Sequence, residues 1–177
     1  MTIVTELPFS IVPLAMVPSD AVERLLDRAF GTDRRQRTAY RIRVGMSALP
    51  QLSFAAIDPD QRLLGTIQCW PIALHADAGG ERPLVMLGPV AVEPALQRGG
   101  IGRQLTQTAL AVADATPGPA LMLIGDPEYY ERFFGFSAER TALWRAPGPV
   151  ERHRLLARGA DVPAISGMLG PRGTATR

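Results

Sequence analysis

What most limits the fold of this 177-residue chain is a near-continuous apolar run, Leu84 to Val92, followed closely by the glycine-rich stretch Gln97-Arg98-Gly99-Gly100-Ile101-Gly102. An unbroken apolar run of this length suits a strand covered on both faces. Pro89 lies inside it and removes a ladder hydrogen bond, so a bulge or distortion is expected near Gly88-Pro89. After Glu93-Pro94 the glycines open a helix expected over about Gly100 to Ala113, with Leu105, Ala109 and Val112 on its buried face. Main-chain N–H groups at a helix start have no helical partner, and the helix dipole adds positive charge there. Glycines let an anion come close to those donors, and Arg98 and Arg103 add charge at the rim. The spacing is neither Gly-x-Gly-x-x-Gly nor Gly-Lys-Ser/Thr, which disfavours a nicotinamide site or a P-loop. Alone, the pattern indicates a phosphate-containing ligand and no more.

The remaining segments build a frame around this unit. Ile3 to Leu14 is apolar but contains Pro8 and Pro13, and reads as an edge strand. A helix is expected from about Asp20 to Phe30, with Asp20 and Glu23 at capping-box spacing, Ser19 as an alternative cap and Gly31 at the end. A second helix is expected from Arg34 to Val44, with Asp33 as cap and Gly45 as stop. It carries Arg34, Arg35, Arg37, Arg41 and Arg43, read either as a solvated basic face or as a surface for an anionic cofactor or substrate. Gln51 to Ile57 and Leu63 to Leu74 read as a hairpin across Asp58-Pro59-Asp60-Gln61. Ala120 to Ile124 is a short buried strand, and Asp126-Pro127 starts a short helix ending near Gly135. Strands are expected over Phe136 to Arg145 and Arg152 to Arg158, and the tail beyond Gly159 reads as irregular. This order describes a three-layer α/β domain, with a mixed central sheet of about six to seven strands and helices on both faces. A single domain is expected over residues 1–177, with a core over 1–158.

The segment Val85-Met86-Leu87-Gly88-Pro89-Val90-Ala91-Val92-Glu93-Pro94-Ala95-Leu96-Gln97-Arg98-Gly99-Gly100-Ile101-Gly102 resembles the central motif of the GNAT N-acetyltransferase superfamily, Gln/Arg-x-x-Gly-x-Gly/Ala after a strand. Gln97, Gly100 and Gly102 match its fixed positions. Downstream, Gly125-Asp126-Pro127-Glu128-Tyr129-Tyr130 followed by Phe134-Gly135-Phe136 looks like the superfamily's tyrosine helix ahead of a Gly-Phe pair. The resemblance spans roughly Leu63 to Arg158 and points to a bacterial predicted-acetyltransferase branch with a GNAT-like fold. It implies acetyl-CoA as cosubstrate. The backbone of Val90, Ala91 and Val92 would pair with the pantetheine arm. The amides from Arg98 through Gly99, Gly100, Ile101 and Gly102 to Arg103 would cradle the pyrophosphate, and Tyr130 would lie near the sulfur. In the family the tyrosine usually precedes the final Phe by five residues, whereas Tyr130 precedes Phe136 by six. One residue turns a helical side chain by about 100 degrees, so Tyr129 competes for the role.

The resemblance implies attack by a neutral amine on the thioester, stabilised by a free N–H in the distorted strand, with a tyrosine protonating the leaving thiolate. Glu93, His75 or a bound water would take the amine's proton. A catalytically silent acyl-CoA-binding or sensing domain is the alternative reading. The acceptor, a small-molecule, peptide or protein amine, is not legible. Acetyltransferases of this kind often form homodimers.

Composition narrows the field. There is no lysine, which removes Schiff-base chemistry, and the net charge of +2 gives no ground for a nucleic-acid partner. No apolar run reaches the roughly 18 residues of a membrane span, and the N-terminus lacks a secretory pattern, so a cytoplasmic location without a membrane partner is expected. Cys69, the single cysteine, reads as an inert core residue, Trp70 and Trp144 as packing residues, and His75 and His153 as no metal site.

Overall fold

In a computed structural model that describes residues 7–173, the described residues form eight strands and four α-helices. The strand order is β1-β2-β3-β4-β5-β7, with β8 paired to β3 and β6 paired to β8. The described residues gather into two compact units. One holds the chain up to Arg34 with 49–68 and 89–116, and the other holds 35–48, 69–88 and the chain from 117 onward. The two longest strands, β3 (Leu63–Ala76) and β4 (Glu81–Val92), contribute one part of their length to each.

In the first unit, β1 (Ser10–Pro13) lies at the sheet edge, antiparallel to β2 (Phe54–Ile57). An edge position suits Pro13, which has no N–H for a further ladder. The expected edge strand is thus found over its C-terminal part, while residues 3–6 lie outside the described ones. β2 and β3 form the expected antiparallel hairpin. Asp58 Oδ1 closes its turn by accepting from the N–H groups of Asp60 at 2.9 Å and Arg62 at 2.8 Å. Helix α1 (Ser19–Phe30) buries Val22, Leu25 and Leu26 in a cluster with Ala91 of β4. Helix α3 (Ile101–Ala115) takes the opposite face, because Gly102 sits against the side chains of Val90 and Val92, which alternate with Ala91. The expected capping box at Asp20 and Glu23 does not form. Pro18 is the N-cap with no side-chain bond, Asp20 pairs with Arg24 at 2.8 Å and Glu23 pairs with Arg34. Gly31, at φ 93°, does close the helix, its N–H donating to Asp27 O at 2.9 Å.

In the second unit, β4 and β5 (Leu121–Ile124) are parallel, as a strand–helix–strand crossover requires, and β7 (Leu155–Arg158) runs antiparallel to β5. β6 (Trp144–Arg145) is parallel to β8 (Gly167–Pro171), which is antiparallel to the end of β3. Helix α2 (Thr38–Ile42) places Ile42 in a core with Ile72, Leu84, Met122, Trp144 and Leu155.

Three expectations are corrected here. The helix foreseen from Arg34 to Val44 is a 3-10 turn, Arg34–Gln36, and the five residues of α2. Arg34 is 2% exposed and ion-paired with Glu23 and Asp27, and Arg37 is extended at φ −69°, ψ 151°, so one straight helix cannot pass through both. Of the strand foreseen over Phe136 to Arg145, only Trp144–Arg145 and an isolated bridge from Ser137 to Ala157 exist. Ser137 and Thr141 engage their hydroxyls with local main chain, Ser137 Oγ accepting from Glu139 N–H at 3.0 Å and Thr141 Oγ1 donating to Ala138 O at 3.2 Å. The tail read as irregular contains β8. Its glycines permit this pairing, since a Cβ on Gly167 would lie 2.6 Å from the His75 carbonyl oxygen.

Candidate active site

Four consecutive residues of β4, Leu84 to Leu87, are buried, which is the two-sided coverage its apolar run foretold. The ladder to β5 consists of Val85–Leu121 and Met86–Met122 and runs no further. From Leu87 to Val92, therefore, β4 has no strand partner on that side among the described residues. The expected distortion is present, with Gly88 in the strand at φ 116°, a conformation open to glycine and strained for other residues. Its carbonyl accepts from Trp70 Nε1 at 2.9 Å and from Arg43 Nη1 at 3.3 Å. Gly88 main chain also hydrogen-bonds the Cys69 thiol, which burial pushes up to about 12. A thiol so held carries almost no thiolate at neutral pH, in keeping with Cys69 as an inert core residue.

Past Val92 the chain makes a short 3-10 turn, Pro94–Leu96, and reaches Gly100, the N-cap of α3, at φ 78° and ψ 6°. No side chain caps the helix, and the first main-chain bond into it is Gln104 N–H to Gly100 O at 3.0 Å. The N–H groups of Ile101 and Gly102 have no partner among the described residues. Ile101 buries its side chain, whereas Gln97, Arg98, Gly99, Gly100 and Arg103 are exposed. The first unit thus brings Val90, Ala91 and Val92 together with Gln97 to Arg103. The unpartnered amides sit at the positive end of a 15-residue helix, an arrangement that binds anions.

Glu93 is the hinge of this turn. Its N–H donates to Leu64 O at 2.8 Å, and both of its carboxylate oxygens accept from the Arg28 guanidinium of α1.

Tyr129 and Tyr130 belong to the second unit, in α4 (Pro127–Phe134). The expected start of this helix is observed, Asp126 Oδ1 accepting from Glu128 N–H at 3.0 Å with Pro127 at the first position, and Gly135 closes it at φ 69°. The Tyr130 ring lies directly over Gly125 at the end of β5. A Cβ on Gly125 would be 2.5 Å from Tyr130 Cε2. The ring also meets Tyr129 edge-on at 5.0 Å and Phe136 at 6.2 Å. Burial, then the neighbouring Tyr129, pushes the Tyr130 hydroxyl up to about 12, so it is protonated at any working pH. The other base candidate, His75, holds Nε2 3.0 Å from Pro171 O.

Sequence reasoning missed three members of these surroundings. Arg43 is 5% exposed and stacks on Tyr40 at 4.1 Å and Trp70 at 4.0 Å, so the basic stretch from Arg34 to Arg43 is not uniformly solvated. Gly65 makes room for α3, since a Cβ there would lie 2.9 Å from both Ala91 O and Ile101 Cγ2. A lone glycine inside a strand pattern was the available signal. Gly125 makes room for Tyr130, a contact that its place at the head of the downstream motif did not by itself reveal.

The mixed sheet thus has an inner strand with an open edge that leads into an uncapped, glycine-opened helix, a frame suited to a phosphate-containing ligand. The sequence pattern of the Acetyltransferase (GNAT) family matches residues 19–136, and the chain belongs to that family. It is 28% identical over 160 residues to a protein of Escherichia coli (strain K12) named uncharacterized N-acetyltransferase YhbS, across 87% of this chain and 90% of that one. The crystal structure of Escherichia coli YhbS in complex with CoA shares the fold, with a TM-score of 0.70 at 24% identity over 94% of this chain and 91% of that one. A GNAT family acetyltransferase from Brucella melitensis, solved in complex with acetyl-CoA, gives a TM-score of 0.57 at 29% identity over 87% and 97% of the two chains. Among the described residues no helix is long and apolar enough to cross a membrane.

Proposed function

We propose that this protein is an acetyl-CoA-dependent N-acetyltransferase that moves the acetyl group to a primary amine by direct attack. The observation that carries this reading is the pair of unpartnered amides, Ile101 and Gly102, opening α3 directly after a strand with a free edge. In this reading the amides from Arg98 to Arg103 hold the pyrophosphate, with Gln97 at the motif's first position, and Arg98 and Arg103 add charge at the rim. The open edge of Val90, Ala91 and Val92 takes the pantetheine arm as if it were a strand. The coenzyme-bound forms of the YhbS and Brucella proteins support the choice of cosubstrate.

The chemistry follows from these groups. A neutral amine attacks the thioester carbonyl and a tetrahedral intermediate forms. Its oxygen takes negative charge, which a main-chain N–H of the distorted strand stabilises. The C–S bond breaks, and Tyr130 hydrogen-bonds the departing sulfur and gives it a proton. Support for Tyr130 over Tyr129 comes from its fixed seat on Gly125. A hydroxyl held at about 12 is a dependable donor and a weak acid, so it gives up its proton as charge builds on the sulfur and not before. Glu93, His75 or a bound water takes the amine's proton.

The test has two arms. Calorimetry on the full chain should show acetyl-CoA binding, and a free-thiol release assay against a panel of small amines, peptides and antibiotics should name an acceptor. Tyr130→Phe should lower turnover by about 10²-fold or more while leaving acetyl-CoA affinity nearly unchanged. Unaltered turnover in that variant would remove Tyr130 as the acid, and an absence of any acetyl-CoA binding would remove the whole reading.

A further inference from the structure

The Gly88-Pro89 peptide is the step of β4 that strand pairing toward β5 does not hold. Gly88 is in the positive-φ region, Pro89 has no N–H for a ladder, and the parallel ladder to β5 has already ended at Met86. Left to itself, that peptide plane would have several directions open to it. Two side chains on other elements remove this freedom. Trp70 Nε1 of β3 donates to the Gly88 carbonyl at 2.9 Å, and Arg43 Nη1, one residue past α2, donates to the same oxygen at 3.3 Å. These donors are themselves locked together, because the Arg43 guanidinium lies 4.0 Å over the Trp70 ring and 4.1 Å over Tyr40. A buried arginine stacked between two aromatic rings is costly to arrange, and here it converges on one carbonyl.

We infer that Arg43 and Trp70 are positioning residues for acyl transfer: by holding the Gly88 carbonyl they set the peptide plane from which the next main-chain donor, the Val90 N–H, takes its direction. The inference rests on the reading that Val90 to Val92 receive the acyl-bearing arm. It adds that the aim of this edge is set by a side-chain clamp and not by strand pairing.

The clamp should matter for the thioester end of the cosubstrate and not for its diphosphate. The full chain and two variants, Trp70→Phe and Arg43→Met, are compared by calorimetry with acetyl-CoA and with 3′-phospho-ADP, which carries the diphosphate but lacks the arm. Infrared spectra of acetyl-CoA labelled with ¹³C at the thioester carbonyl report the hydrogen bond to that oxygen. Expected is a loss of about tenfold in acetyl-CoA affinity, the scale of one ordinary hydrogen bond. The carbonyl band should shift toward its free position, while 3′-phospho-ADP binds as before. Trp70→Phe keeps an aromatic ring beside Arg43 while deleting the donor, so it decides the matter if Arg43→Met does not fold. An unmoved band with unchanged acetyl-CoA affinity would overturn the inference. So would a parallel loss of both ligands, which marks a residue that only supports the fold. No acetyl-CoA binding by the unsubstituted chain would instead sink the reading of the site, and this inference with it.

Discussion

A methyl group on Gly125 would overlap the Tyr130 ring at 2.5 Å and 2.7 Å and crowd Leu123 Cδ1 at 2.9 Å. Gly125→Ala should therefore cost about 1–3 kcal/mol of stability, read as a lower thermal midpoint. If Tyr130 is the acid, the variant should also lose turnover while keeping acetyl-CoA affinity. Tyr130 gives a pH signature as well. Its folded value, about 12, lies above the ordinary 10, so its contribution to stability is complete below about pH 10 and is lost as pH rises through 12. Denaturant midpoints measured from pH 9 upward should fall across that window, and Tyr130→Phe should flatten this part of the fall. At another residue the sign reverses. Thr66 is fully buried and its Oγ1 has no partner among the described residues, so Thr66→Val should hold or raise the melting temperature, by up to about 1 kcal/mol of stability.

Among elements, α3 is held in place by an absence of side chain. Gly65→Ala would set a methyl group 2.9 Å from the Ala91 carbonyl oxygen, a main-chain atom that cannot swing aside, and equally close to Ile101 at the start of α3. The substitution should cost about 1–3 kcal/mol and weaken acetyl-CoA binding together, because Ile101 carries one of the open amides. Paired readings by calorimetry and thermal melting check this, and intact binding would separate the seat of the helix from the ligand. The glycine-opened start of α3 and the Asp126-Pro127 start of α4 were legible because each depends on residues within one turn. The broken second helix was not legible, since Arg34 leaves the helical path for carboxylates 7 and 11 residues upstream. β8 was hidden for a related reason: its glycines look like disorder in isolation, and Gly167 gains meaning only where its register partner Ala76 and the neighbouring His75 carbonyl, far away in the chain, come close to it.

For the molecule as a whole, the mixed sheet, the crossover through α3 and the family motif were all readable from segment order. Among the described residues the sheet has eight strands beside the expected six to seven, the addition being β8 in the tail. A ligand that binds only the folded chain stabilises it by mass action. Acetyl-CoA at 100 times its dissociation constant should add about 2.7 kcal/mol, visible as a rise in thermal midpoint that tracks concentration. A midpoint insensitive to acetyl-CoA would argue against the cosubstrate.

On the proposed reading, the groups at Ile101 and Gly102 that would hold the diphosphate are peptide amides, which every residue except proline supplies. Such a handle has no side chain to lose. Descendants can exchange most residues along that helix and retain the hold, provided that Gly100 still turns the chain and nothing bulky replaces Gly102. A hold of that kind, if the proposed reading is right, would survive substitution at the exposed positions of α3.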